Sequence, residues 1–225
     1  VVGRNGSGKT TMIKLLCRLY DPTEGFITLN GIDIRKYNRT AFYRLFSAVF
    51  QQFSILPVTI AEIVSETTPE NIDYNKVKRC LIVAGLWNKI EQLTNGVNSQ
   101  FGKTIYDDGV EFSGGEIQKL LLARAMYKNA PVMLLDEPTA ALDPIAESTL
   151  YGNYNQISFQ KTTVFVSHRL ASTSFCDRII LIENGKICEE GSHNELLKQN
   201  GTYRMLFETQ AKYYKNNLGK TEVAE

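Results

Sequence analysis

The sequence has no apolar run approaching the ~20 residues that a bilayer-spanning helix requires, so no membrane span is expected within it. No secretory leader is expected either. Its formal net charge is only +1 and it has no basic runs, which removes the electrostatic reason to expect a nucleic-acid partner. The four cysteines (Cys17, Cys80, Cys176 and Cys188) are scattered and form no C-x-x-C pair. A metal knuckle and a disulfide framework are thereby excluded, a reducing compartment is implied, and each cysteine reads as a small buried apolar residue. Internal repeats, low-complexity tracts and coiled-coil heptads are also missing. The chain opens Val1-Val2-Gly3 without an initiator Met, at what reads as the end of a strand, so upstream sequence is expected to belong to the natural polypeptide.

What is present has the composition of a globular protein. The 225 residues are 43% hydrophobic and 22% charged, enough for one large domain or two lobes sharing a core. Met12, Ile13, Leu15, Leu16 and Leu19 recur at helical spacing after a glycine-rich loop. Asn30-Gly31 and Asn184-Gly185 each separate two short apolar runs, predicting β-hairpins over 26–34 and 178–188. Ala48-Val49-Phe50 reads as a strand ending at Gln51. Val132–Leu135 and Thr162–Val166 are continuous apolar runs that suit strands buried on both faces of a parallel sheet. Residues 73–118 read as helices broken by glycine loops, and 196–214 as helix interrupted near Asn200-Gly201. The fold class is therefore α/β, with a mostly parallel core sheet, a small antiparallel part and a helical subdomain.

Gly3-Arg4-Asn5-Gly6-Ser7-Gly8-Lys9-Thr10, followed by Thr11, matches G-x-x-x-x-G-K-[ST]. Glycines let successive backbone N–H groups turn inward around phosphates, and the following helix adds the positive end of its dipole. Lys9 is placed to reach the outer phosphates of ATP and the Thr10 hydroxyl to ligate Mg²⁺. A glycine-rich turn with a solvated lysine would read the same in isolation. The strand end before it and the amphipathic helix after it argue for the phosphate loop.

Asp136 ends the Val132–Leu135 run, where P-loop enzymes hold magnesium. Glu137 follows at once, so its side chain points differently and suits a general base for water attacking the γ-phosphate. Alone, the pair would be equally well explained as a strand-end acid before an acidic loop. The upstream phosphate loop, which needs a magnesium partner, decides between them.

Phe112-Ser113-Gly114-Gly115-Glu116-Ile117-Gln118 precedes a predicted helix. Ser113 with Glu116 three residues on makes a capping box, so a good helix start is the minimal reading. In order and interval before Asp136, however, the stretch resembles the L-S-G-G-Q signature of the ABC ATPase family, with Phe for Leu and Glu for Gln. The other motifs of that family fall into place. Gln51 stands as the Q-loop glutamine, with Gln52 as the alternative. Ala140-Ala141-Leu142-Asp143 resembles the D-loop, and Asp143-Pro144 also suits a helix start. His168, one of only two histidines, stands at a strand end as the switch histidine does.

The resemblance implies a P-loop NTPase fold. Residues 1–52 and 129–215 would form the catalytic lobe, 53–128 a helical signature subdomain and 216–225 a flexible tail. It implies a head-to-tail dimer with a second ABC ATPase domain, in which Ser113, Gly114, Gly115 and Glu116 of one copy meet the γ-phosphate held by the other. Thr10, Gln51 and Asp136 would hold Mg²⁺, Glu137 would activate water, His168 would contact the γ-phosphate, and Asp143 would connect the two sites. The stretch Phe53–Glu62 and the loop Thr104–Gly109 look like the exporter branch, where they meet coupling helices of a transmembrane domain. That loop usually reads V-G-E-R-G; here Asp107 keeps the acid and Asp108 replaces the base. For the apolar residues of 53–60, plain core packing is an equal alternative. The expected location is the cytoplasmic face of a membrane. Without the upstream adenine-stacking aromatic and its strands, the chain as given is expected to bind nucleotide weakly and to leave a sheet edge exposed.

Two rivals remain. One is a non-transport ABC ATPase of DNA repair or translation. The repair type inserts a coiled coil or zinc module between phosphate loop and signature, whereas here about 105 residues suit a compact helical lobe. The translation type usually carries two ATPase units per chain. The other rival is a binding module that hydrolyses nothing.

Overall fold

The computed structural model of the chain describes residues 1–51, 53–140, 142, 147, 152, 158 and 160–221. By internal contact it divides into two units, Val1–Gly25 with Phe165–Glu225 and Phe26–Val164.

The first unit begins with a single strand residue. Val2 bridges in parallel to Ser167 on one side and Leu181 on the other. Its N–H donates to Ile180 O at 2.9 Å and its carbonyl accepts from Ile182 N–H at 2.9 Å. The glycine loop follows and gives way to α1 (Lys9–Leu16), which starts at Gly8 in the left-handed region (φ 101°). After Phe165 the chain forms a short 3₁₀ turn at Leu170–Thr173. Two antiparallel strands come next, Ile179–Glu183 and Lys186–Gly191. Asn184 (φ 49°) and Gly185 (φ 73°) both take positive φ between them, the geometry that Asn-Gly hairpins favour. Two helices close the unit, His193–Gln199 and Thr202–Thr221; the second runs past Tyr214, where the apolar pattern of the sequence ended. Its start is capped across the unit, as Glu189 accepts from the N–H groups of Thr202 and Tyr203. Val2, Leu170, Ile179, Leu181, Leu196 and Tyr203 are buried together as its core.

The second unit opens with the other Asn-Gly hairpin, β1 (Thr28–Leu29) against β2 (Ile32–Asp33), shorter than the apolar runs that flag it. Then come α2 (Arg39–Tyr43), β3 (Phe46–Val49), α3 (Ile60–Ser65), α4 (Tyr74–Val83), α5 (Trp87–Ile90), α6 (Gly114–Lys128), β4 (Val132–Asp136) and β5 (Thr162–Val166), whose last two residues pass into the first unit. On this numbering the closing strands of the first unit are β6 and β7 and its closing helices are α7 and α8. β3 pairs in parallel with β4, Phe46 opposite Val132 through Val49 opposite Leu135. β5 takes the other side of β4. As the central strand, β4 is buried from Met133 through Asp136, which is why its sequence is a continuous apolar run rather than an alternating one. β3 begins two residues earlier than its apolar triplet suggests, because its register is fixed by β4 across about 86 residues of chain rather than by local pattern. Helix α6 packs on α3, α4 and β3, burying Leu120, Leu121, Leu122, Ala123 and Ala125.

Candidate functional site

The phosphate loop lies in the first unit. Lys9 is buried and its Nζ folds back to donate to the carbonyls of Gly3 (2.8 Å) and Arg4 (2.9 Å). The ammonium is thus held against the start of the loop by two of its carbonyls. Gly3 is required by space: at φ 154° a Cβ would lie 2.2 Å from the Ile182 carbonyl oxygen. Ser7 is buried with its carbonyl accepting from Gly185 N–H (3.1 Å), while its Oγ has no hydrogen-bond partner. Arg4, Asn5, Gly6 and Thr11 are exposed, and Gly8 and Thr10 are half-buried at the helix start. No side chain caps α1, so the amides of its first turn are open to an anionic ligand.

His168 is in the same unit, half-buried just after β5. Its carbonyl accepts from Gln210 Nε2 at 2.7 Å, and Gln210 Oε1 accepts from Leu170 N–H at 2.8 Å. Tyr203 Oη lies 2.7 Å from Thr173 Oγ1 and 2.8 Å from His193 Nδ1. Burial pushes the Tyr203 hydroxyl pKa up, against the opposing pull of the Thr173 bond, so it stays protonated.

The acidic pair and the signature lie in the second unit. Asp136 is 1% exposed at the end of β4. Glu137, half-buried, takes the left-handed backbone (φ 51°), which turns its side chain away from the strand direction. Gln51 Nε2 donates to Glu137 Oε2 at 3.3 Å, so the glutamine after β3 and the acid after β4 meet at adjacent strand ends. Gln52 lies outside the described residues, as does Asp143.

The turn after Glu137 is fixed by contacts that the motifs did not flag. Ala140 N–H donates to Glu137 O (3.1 Å) and Leu142 N–H to Thr139 O (3.0 Å). Thr139 Oγ1, 2% exposed, donates to Glu147 Oε1 at 2.8 Å. Thr139 and Glu147 were therefore missed. The usable signal was an acid four residues past Asp143 on a predicted helix, too weak to stand alone.

At the signature, Ser113 caps α6: its Oγ accepts from Glu116 N–H (3.3 Å) and Glu116 Oε2 accepts from Ser113 N–H (2.8 Å). The capping box expected from the sequence is formed in full. Partial burial raises the Glu116 carboxyl, but the Ser113 backbone N–H, the Lys89 ammonium 3.6 Å away and the Ser113 hydroxyl together hold it below the ordinary carboxylate range. Ser113 and Gly114 are exposed. Phe112, where the family has Leu, is buried edge-on against Phe101 with centroids 5.8 Å apart, so the aromatic still anchors the loop.

The segment after Gln51 is stitched to the loop at 100–110. Thr59 bridges Gln100 and Phe101 bridges Val110. Tyr106 Oη donates to Pro57 O at 2.9 Å. Gly109 is needed there, since a Cβ would lie 2.8 Å from the Gly102 carbonyl oxygen. Leu56 and Ile105 stand out from this assembly, 73% and 62% exposed. Among the described residues no helix is long and apolar enough to cross a membrane.

Comparison with known proteins identifies the family. The family model described as ABC transporter matches residues 1–140. The ATP-dependent lipid A-core flippase of Methylobacillus flagellatus is 37% identical over 210 residues, 93% of this chain and 35% of the relative. That of Paraburkholderia xenovorans is 38% identical over 210 residues, 93% of this chain and 34% of the relative. A solved bacterial Atm1-family ABC exporter with ATP bound superposes with a TM-score of 0.85 at 31% identity, over 93% of this chain and 36% of that one. The chain spans about a third of the length of the curated relatives it matches. With the phosphate loop, acidic strand end and serine-capped helix in place, and the family model covering more than half its length, the chain belongs to the ABC transporter family.

Proposed function

We propose that this chain is the ATP-hydrolysing domain of an exporter-type ABC transporter, acting at the cytoplasmic face of a membrane beside a transmembrane domain. The observation that supports the catalytic reading is the Gln51–Glu137 contact, which sets a polar amide against the acid proposed as the base. Gly3 to Thr11 bind the phosphates through backbone amides and the Lys9 ammonium. Lys9 is held over the loop by two carbonyls, so its charge is preorganised rather than recruited. The oxygen donors of Thr10, Gln51 and Asp136 have the hard character that suits Mg²⁺, which when bound neutralises charge on the β- and γ-phosphates.

Glu137 accepts the proton of the attacking water, and His168 contacts the γ-phosphate and orders the site. Two copies assemble head to tail. Ser113, Gly114, Gly115 and Glu116, at the exposed start of α6 in a subdomain spanning 53–128, meet the γ-phosphate bound by the other copy. Asp143 connects the two sites. Loss of the γ-phosphate removes one side of the grip and lets the dimer open. The names of the relatives, ATP-dependent flippases, and of the solved exporter with ATP bound support coupling to transport.

Glu137→Gln in the full-length protein tests this reading. Steady-state phosphate release is expected to fall by about 10²–10⁴-fold, while binding of a fluorescent ATP analogue persists and the ATP-bound dimer lives longer. Wild-type turnover in that variant would overturn the assignment of the base.

A further inference from the structure

We infer that Gln210, on the last helix and 42 residues from His168 in sequence, is a positioning residue for the switch histidine. The inference rests on the proposed contact of His168 with the γ-phosphate. The first unit contains the whole device. β5 ends at Val166, and the backbone that follows carries His168 without regular secondary structure until the 3₁₀ turn at Leu170. Ser167 Oγ accepts from Arg169 N–H (2.9 Å) and donates to Arg169 O (3.2 Å), which shapes the turn locally. The His168 carbonyl and the Leu170 N–H, outside that local pair, are met from the last helix.

Gln210 meets both. Its amide uses both ends, Nε2 donating to His168 O (2.7 Å) and Oε1 accepting from Leu170 N–H (2.8 Å). A planar carboxamide that brackets residues 168 and 170 fixes the peptide planes on either side of Arg169 and so the direction in which the His168 side chain leaves the backbone. The carboxamide offers a donor and an acceptor on one rigid planar group, and Asn would present the same pair on a shorter stem.

The helix that carries Gln210 is itself anchored to the same turn. Thr173 Oγ1 donates to Leu170 O at 2.7 Å, which uses its only proton, so Tyr203 Oη donates to Thr173 and accepts from His193 Nδ1–H. Tyr203 is fully buried and Glu189 caps the helix start. The turn is gripped at its start by Gln210 and at its end by Tyr203, both from α8. Because Tyr203 and Glu189 hold the helix independently, removing the Gln210 amide frees His168 without undocking α8.

The test uses the full-length protein. Gln210→Met keeps length and burial and deletes both hydrogen bonds. It is expected to lower kcat for ATP hydrolysis by at least about tenfold, with KM and the binding of a fluorescent ATP analogue within about twofold, as expected of a misplaced catalytic group. In a His168→Ala background the same change is expected to have less than about a twofold further effect, because it acts through that histidine. Gln210→Glu adds a readout that plain destabilisation would not move. A protonated carboxyl restores both bonds, whereas the carboxylate faces the His168 carbonyl oxygen without a proton to share. Its kcat relative to wild type is therefore expected to recover below about pH 5 and to fall above it. Wild-type kcat in Gln210→Met, an equal loss in the His168→Ala background, or loss of nucleotide binding together with kcat would each overturn the inference. A wild-type protein that releases no phosphate would overturn the reading of the site and this inference with it.

Discussion

At Glu137 the backbone is in the left-handed region, although the residue precedes Pro138, a position that favours extended geometry. A non-glycine residue there carries a cost of order 1–3 kcal/mol that the surroundings must outweigh. The hydrogen bonds through Ala140, Leu142 and Thr139 are those surroundings, and the Thr139–Glu147 bond is their buried anchor. Thr139→Val keeps the shape but leaves a desolvated carboxylate with one donor fewer. It is expected to cost about 1–3 kcal/mol, seen as a lower denaturant midpoint with an unchanged slope. Thr139→Ser retains the hydroxyl and is expected to lose under half as much. Equal midpoints for Thr139→Val and wild type would show that the bond contributes nothing. The sequence exposed the acids at 136 and 137 because the motif names them. It did not expose Thr139 and Glu147, whose partnership depends on how the chain returns after the turn.

Helix α6 shows what is legible at the level of an element. Ser113 and Glu116 satisfy each other within one turn, so the cap could be read from four residues and is found as read. The two Asn-Gly turns were legible for the same reason, since both positive φ values are local preferences. The start of β3 was not, being set by pairing with β4. Nor was the Gln210 bracket, whose partners lie 40 and 42 residues away. The cap also makes α6 sensitive to acid. The folded-state pKa of Glu116 is depressed, so its contribution is complete above the ordinary carboxylate range and is lost as pH falls through the folded value. After correction for intrinsic rates, the amides of the first turn of α6 are expected to lose protection as the pH falls below the ordinary carboxylate range and on through the lower folded value. Glu116→Gln, whose amide oxygen still accepts from Ser113 N–H, is expected to show no such pH dependence. A wild-type pH profile in the Gln variant would place the acid sensitivity elsewhere.

For the whole molecule, the informative feature is an apolar surface that folding leaves outside. The segment after Gln51 and the loop at 100–110 are bound into one piece by the Thr59–Gln100 bridge, the Phe101 N–H bond to Val58 O and the Tyr106–Pro57 bond, yet Leu56 and Ile105 on it remain in water. Core packing, the alternative reading for the apolar residues of 53–60, holds for Ile60, which is fully buried, and fails for Leu56. An ordered support under exposed apolar side chains suits a docking surface, and for the proposed exporter its partner is the transmembrane domain. Leu56→Ser separates stability from coupling. Leu56 makes little use of the core, so the unfolding free energy of this domain is expected to change by no more than about 0.5 kcal/mol. In the full-length protein, ATP hydrolysis is expected to continue while transport per ATP falls by about half or more, consistent with an interface residue that carries more than about 1 kcal/mol. A variant that loses stability and hydrolysis together would assign Leu56 to the fold, and one that transports at the wild-type ratio would remove this surface from the coupling path.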